Sequence, residues 1–175
     1  MCIRDRSRLF RTKKDIKNLC ESLKGHADFR LCKGIYLEPK EISHTNYQSI
    51  VDSFCSDIDL ALDLDAYVGI ASHDMKILNY SKDALKARNL GPNIEDMRQH
   101  SSKNRVGKVS GYEFQFLLGV RGNVRRSLAE KGHRTRIYLP YGTKWYEYGM
   151  RRLRENPDVA VHVTKSLFFP WTNRR

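Results

Sequence analysis

Between Thr12 and Gly25 the apolar residues Ile16, Leu19, Cys20 and Leu23 recur three and four positions apart, the spacing of one helix face. This predicts an amphipathic helix over residues 13–24. Thr12 followed by Asp15 resembles a capping box at its start, and Gly25 stands where a glycine stop belongs. Phe29-Arg30-Leu31-Cys32 then reads as a short strand ending at Lys33-Gly34. Ile50, Val51, Phe54, Ile58 and Leu62 predict a second helix over residues 46–62, and the apolar, β-rich run from Ala66 to Ser72 a buried strand. A helix over 75–86 follows. Residues 87–110 are polar with several glycines and read as a long mobile connection. The pattern then gives a strand at 112–118, a helix over 123–132 ending at Gly132, a strand at 134–140, and a helix from Trp145 to Glu155 stopped by Asn156-Pro157. The alternation of Val159 to Val163 suits a strand, while the preceding Asn-Pro suits a helix start.

A helix followed by four strand-and-helix units, with crossovers of helix length, demands a parallel sheet covered by helices. An open doubly wound sheet and an α/β barrel both satisfy it. The 175 residues could complete a small open sheet but supply only half of a barrel, which takes about 250. Neither glycine-rich phosphate loop, G-x-G-x-x-G or G-x-x-x-x-G-K-[ST], is present, so the usual mark of a nucleotide-binding open sheet is missing.

The balance of 40% apolar and 30% charged residues is that of a globular chain. No stretch approaches the ~18 consecutive apolar residues of a spanning helix, and the first residues lack the apolar centre of a signal peptide. Cys2, Cys20, Cys32 and Cys55 lack metal-ligand spacing, which points to reduced thiols in the cytoplasm and to no metal site. The formal charge of +12 is the unusual number. It keeps open a basic domain that binds RNA or another polyanion, although the basic residues are spread along the chain rather than gathered in one block.

Each predicted strand runs apolar and then ends in reactive groups. Lys33 and Tyr36 follow the first, Ser72, His73 and Asp74 the second; Gln115 lies within the third, and Tyr138 and Tyr141 sit around the fourth. In either parallel architecture ligands bind at the carboxyl ends of the strands. Each residue also has a plain structural role open to it: His73 could cap the following helix, and the tyrosines could be strand packing. On a helix Arg151 and Arg152 precede Glu155 by four and three residues, which suits a surface ion pair or a pair of guanidinium forks for a carboxylate.

Four segments bear on that choice. FRLCKGIYLEPKE resembles the RLVKGAYLE segment of proline dehydrogenases, and ASHD their T-H-[ND] strand end. YEFQFLLGVR resembles their [YF]EFQ-x-L-x-G strand, and RIYLPYGTKWYEYGMRRLRENP their R-[VI]-Y-x-P-[YV]-G strand with its MRRLxE helix. They arrive in family order, are closest to the monofunctional bacterial enzymes, and imply a flavin-linked (β/α)8 TIM-like barrel. The resemblance implies FAD as cofactor, L-proline as substrate, a membrane quinone as acceptor with peripheral contact at the inner membrane, and no nucleic acid. By the same likeness Arg30 lies near the flavin N5 and is catalytic, Lys33, Gly34 and Ile35 form the turn that contacts FAD, and Ser72 and His73 stand at the cofactor. Arg151 and Arg152 bind the proline carboxylate with Glu155 as their ion-pair partner, and Leu117 and Tyr138 pack on the proline ring. Cys32 stands where the family usually has valine. The implied reaction is hydride transfer from C5 of proline to FAD, giving Δ1-pyrroline-5-carboxylate in proline catabolism toward glutamate.

The same family has a strand ahead of the first helix, ending Q-A-Y-L-x-R-T. Ser7 to Thr12 matches its last six positions, so the glutamine falls on Arg6. Met1 to Arg6 is also a translation of the end of a common sequencing-library adapter. Residues 1–6 are therefore expected to be a library artefact, against the alternative of a native short N-terminus. Residues 7–175 are then expected to be the C-terminal part of a barrel, inactive alone, without the first strands and the active-site lysine, aspartate and glutamine that the family carries there.

Overall fold

The computed structural model describes residues 3–24, 26–34, 38–98 and 111–139, with Gly142, Thr143, Glu147 and Met150 beyond them. Five strands and four helices alternate: β1 (Ile3–Arg6), α1 (Thr12–Leu23), β2 (Asp28–Cys32), α2 (Tyr47–Asp63), β3 (Tyr67–Ala71), α3 (Met75–Ala87), β4 (Tyr112–Leu117), α4 (Gly122–Glu130) and β5 (Thr135–Tyr138). All pair in parallel, in the order β1-β2-β3-β4-β5. A doubly wound sheet reverses its strand order and carries helices on both faces. Here the order never reverses. Moreover, Ile16 and Cys20 of α1, Phe54 and Ile58 of α2, Ile77 and Leu85 of α3 and Leu128 of α4 share one core with Phe29, Leu31, Val68, Ile70, Phe114 and Phe116. The helices lie on one face, which is barrel winding.

The strand alternation sorts the remaining side chains onto the opposite, concave face. Register aligns Arg30 with Gly69 and Gly69 with Glu113, and one layer on, Gln115 with Arg136; Leu117 pairs with Tyr138. Polar residues thus gather where a closed barrel would have its interior and mouth.

Local signals differ from the sequence reading at three places. Thr12 does not cap α1: the N-cap is Arg11, without a side-chain bond, and the Thr12 hydroxyl donates to the Arg6 carbonyl at 2.8 Å, with Asp5 Oδ1 at 3.2 Å. The β1–α1 turn needs that hydroxyl more than the helix does. Lys24, not a glycine, takes the left-handed C-cap (φ 47°), and Gly25 lies outside the described residues. The connection after α3 is packed in its first part, with Leu90 and Asp96 buried. There Arg98 forks onto Asp96 at 3.0 and 2.9 Å and donates to the carbonyls of Leu62 (2.9 Å) and Gly111 (3.4 Å). Residues 99–110 lie outside the described residues, as do the expected helix at 145–155, apart from isolated positions, and the 158–175 tail.

Candidate functional site

Arg30 leaves the middle of β2 on the concave face, and its Nε donates to Gln115 Oε1 at 2.6 Å, two strands away. Gly69 makes the crossing feasible. A Cβ there would stand 2.5 Å from Gln115 Nε2 and 3.3 Å from the Phe29 carbonyl, so the amide occupies the volume that glycine leaves free. The guanidinium also lies over the Tyr138 ring, 5.5 Å from its centroid. Among the described residues Arg30 is thus held by neutral groups, and its charge stays available to an anion.

Beneath it, Glu113 of β4 is 2% exposed and collects donors from three strands. Oε2 accepts from Tyr67 Oη and Arg136 Nη2, each at 3.0 Å, and Oε1 from Gln115 Nε2 at 2.6 Å and Arg136 Nε at 2.7 Å; Arg134 Nε is 3.6 Å from Oε2. Burial first, and the Glu113 charge second, hold the Tyr67 phenol far above the ordinary tyrosine range, which keeps it a donor.

At the strand ends Lys33 pairs with Asp74 and sits 4.6 Å over the Tyr47 ring, whose hydroxyl donates to the same Asp74 oxygen at 2.6 Å. These partners, the two donors foremost, outweigh burial and hold the Asp74 carboxyl below its usual range. Asp74, rather than His73, caps α3, accepting from the Lys76 amide at 2.9 Å. His73 Nε2 instead accepts from the Leu117 amide at 3.0 Å, which places its proton on Nδ1, and its ring stands edge-on to Phe116. The imidazole ties the end of β3 to the end of β4. Ser72 is buried, and its Oγ accepts from the Asp74 amide at 3.2 Å. Gly34 has φ +91°, a conformation open to glycine, beside the Cβ atoms of Arg6 and Arg8.

The structure therefore brings Arg30, Leu117 and Tyr138 onto one face and Lys33, Ser72 and His73 to its rim. Ile35, Arg151, Arg152 and Glu155 lie outside the described residues, as do Tyr36 and Tyr141. Sequence reasoning passed over Glu113, Tyr67, Tyr47 and Arg136, and gave Asp74 no role. Glu113 alone carried a usable signal: two positions before Gln115 on a strand, it shares that residue's face. The donor set suits a flavin dinucleotide. Arg30 offers a cation without a carboxylate partner among the described residues, Lys33 a second cation beside its partner Asp74, and the Gly34 backbone a close approach. No group of three His, Cys, Asp or Glu among the described residues could hold a metal ion.

The proline dehydrogenase family model matches residues 11–165. Proline dehydrogenase 1 of Bacillus subtilis subsp. natto is 33% identical over 159 residues, 91% of this chain and 46% of that protein. Proline dehydrogenase of Deinococcus radiodurans is 30% identical over 140 residues, 80% of this chain and 40% of its own length. The chain spans less than half of the curated relatives it matches. Among solved structures, proline utilization A from Bdellovibrio bacteriovorus superposes with a TM-score of 0.71 at 20% identity, covering 87% of this chain and 16% of that one. Its counterpart from Bradyrhizobium japonicum gives 0.69 at 17% identity, covering 88% and 16%. These two likenesses speak for the fold.

Proposed function

The chain belongs to the proline dehydrogenase family, and from that premise we propose that the protein containing it oxidises L-proline to Δ1-pyrroline-5-carboxylate with FAD. The observation that carries the reading is Arg30, a guanidinium on the concave face held among the described residues by an amide and an aromatic ring. FAD held there would supply a two-electron acceptor for the hydride from proline C5, the amine proton leaving to solvent and a membrane quinone serving as the final acceptor.

The residues of this chain bind and orient. Arg30 offers positive charge toward the flavin ring, where negative charge accumulates on reduction. By the family likeness Lys33, Gly34 and Ile35 would contact FAD, the lysine suiting its pyrophosphate, and Ser72 and His73 at the end of β3 would stand at the cofactor. Leu117 and Tyr138, paired across β4 and β5, form an apolar wall for the proline ring. By the same likeness Arg151 and Arg152, with Glu155 as their ion-pair partner, take the carboxylate and so orient the substrate. Family membership sets the RNA-binding alternative aside. Among the described residues no helix is long and apolar enough to cross a membrane, and the proposal places the enzyme in the cytoplasm, peripheral to the inner membrane.

The decisive variant is Arg152→Met in the complete reading frame that contains these residues. Its KM for proline should rise strongly while the flavin spectrum stays that of the parent; an unchanged KM would overturn the carboxylate assignment.

A further inference from the structure

We propose that Glu113 is a positioning residue for the reaction centre: it fixes the orientation of the Gln115 amide, and the amide fixes the Arg30 guanidinium. The inference rests on the reading of Arg30 given above. Its carrier is the complementarity of three groups. A carboxylate only accepts, a guanidinium only donates, and an amide between them has one orientation that satisfies both. With Nε2 on Glu113 Oε1 at 2.6 Å, Oε1 is left for Arg30 Nε at 2.6 Å. A flipped amide would set NH2 against guanidinium and oxygen against carboxylate, two repulsive contacts on one side chain.

Glu113 is itself over-determined. Tyr67 from β3 and Arg136 from β5 hold both of its oxygens, and at 2% exposure water offers no alternative partner. Gly69 removes the last freedom, because the amide lies in the space its missing side chain leaves between β2 and β4. Arg30 is thereby braced against the far side of the sheet rather than by its own strand. Replacing Glu113 by glutamine lets the amides at 113 and 115 rotate together, so that Arg30 loses its fixed acceptor while shape is retained.

A double-mutant cycle with Glu113→Gln and Arg30→Lys, made in the complete reading frame, tests this through the anaerobic rate of flavin reduction by L-proline. Glu113→Gln should slow reduction by about tenfold or more, with the concentration dependence on proline nearly unchanged, and should slow the Arg30→Lys variant no further. A loss of the same factor in both backgrounds means that Glu113 acts on the fold alone and overturns the proposal. Should Glu113→Gln not accumulate as folded protein, Gln115→Met breaks the same relay at its middle, and the cycle is read from it with the same two outcomes. A colourless parent protein that ignores proline overturns the functional reading and this inference together; an active parent with additive losses overturns the inference alone.

Discussion

Asp57 is a residue buried against its chemistry. It is fully buried on α2, and among the described residues neither carboxylate oxygen has a hydrogen-bond partner of ordinary geometry. Burial pushes its carboxyl up to about 7; Asp5 from β1 adds to the rise, and Ser7 and Lys13 oppose it. An acid whose pKa is raised in the folded state keeps its proton there while the unfolded chain has lost it. Between the usual value of 3.8 and about 7, the native protein therefore binds more protons, and stability falls as pH rises, at up to about 1.4 kcal/mol per pH unit from this group. Above 7 the loss is complete. Asp57→Asn should accordingly gain little over the parent near pH 4 and most at pH 8, read as the difference in urea midpoints; a difference that does not grow with pH would contradict the burial account. Residues of this kind were hard to read from sequence. The helical spacing marks Ile50, Val51, Phe54 and Ile58 as an inward face and puts position 57, three after Phe54 and seven after Ile50, on it as well, but a search for apolar residues passes over a carboxylate there. Arg30 was singled out through the family pattern, and Gln115 through its place within the third predicted strand. Strand alternation could place Glu113 on the face of Gln115, but not show its partners Tyr67 and Arg136, which only strand register brings together.

At the scale of elements, the sequence pattern recovered every helix and strand from α1 to β5, the helices and β2 to β4 through an apolar rhythm on one face and the exposed β5 through its β-favouring residues. Ends were less legible than bodies. Thr12 is drawn into the β1–α1 turn, whereas Asn46 does what its type suggests, its side chain accepting from the amides of Gln48 and Ser49 at the start of α2. The connection after α3 shows why a polar stretch is not simply loop. Asp96 is fully buried against Arg98, whose side chain is 13% exposed, and that guanidinium pins the end of α2 to the start of β4. Removing one partner of a buried ion pair takes away the donors against which the other charge was buried, at a cost of about 3 to 5 kcal/mol. Arg98→Ala should therefore lower the unfolding free energy by about that amount; a loss under 1 kcal/mol would show that the clamp is not what closes this connection.

For the whole molecule, what matters is that the two faces of the sheet differ. One is closed by four helices over an apolar core, and the other carries Arg30, Glu113, Gln115 and Arg136 in adjoining strands. The distinction between barrel and open sheet, undecidable from element order alone, is settled by this one-sidedness together with the unreversed strand order. On the functional reading the polar face is the inner wall of a flavin site, with Arg30 at the cofactor and Leu117 and Tyr138 against the substrate. The direct test is optical. The complete reading frame is purified without added flavin, its visible spectrum recorded, and L-proline added in the absence of oxygen. The account expects a yellow protein whose flavin absorbance bleaches on addition of proline, and an Arg30→Met variant that bleaches far more slowly. A colourless protein, or a yellow one whose spectrum L-proline leaves unchanged, would contradict it.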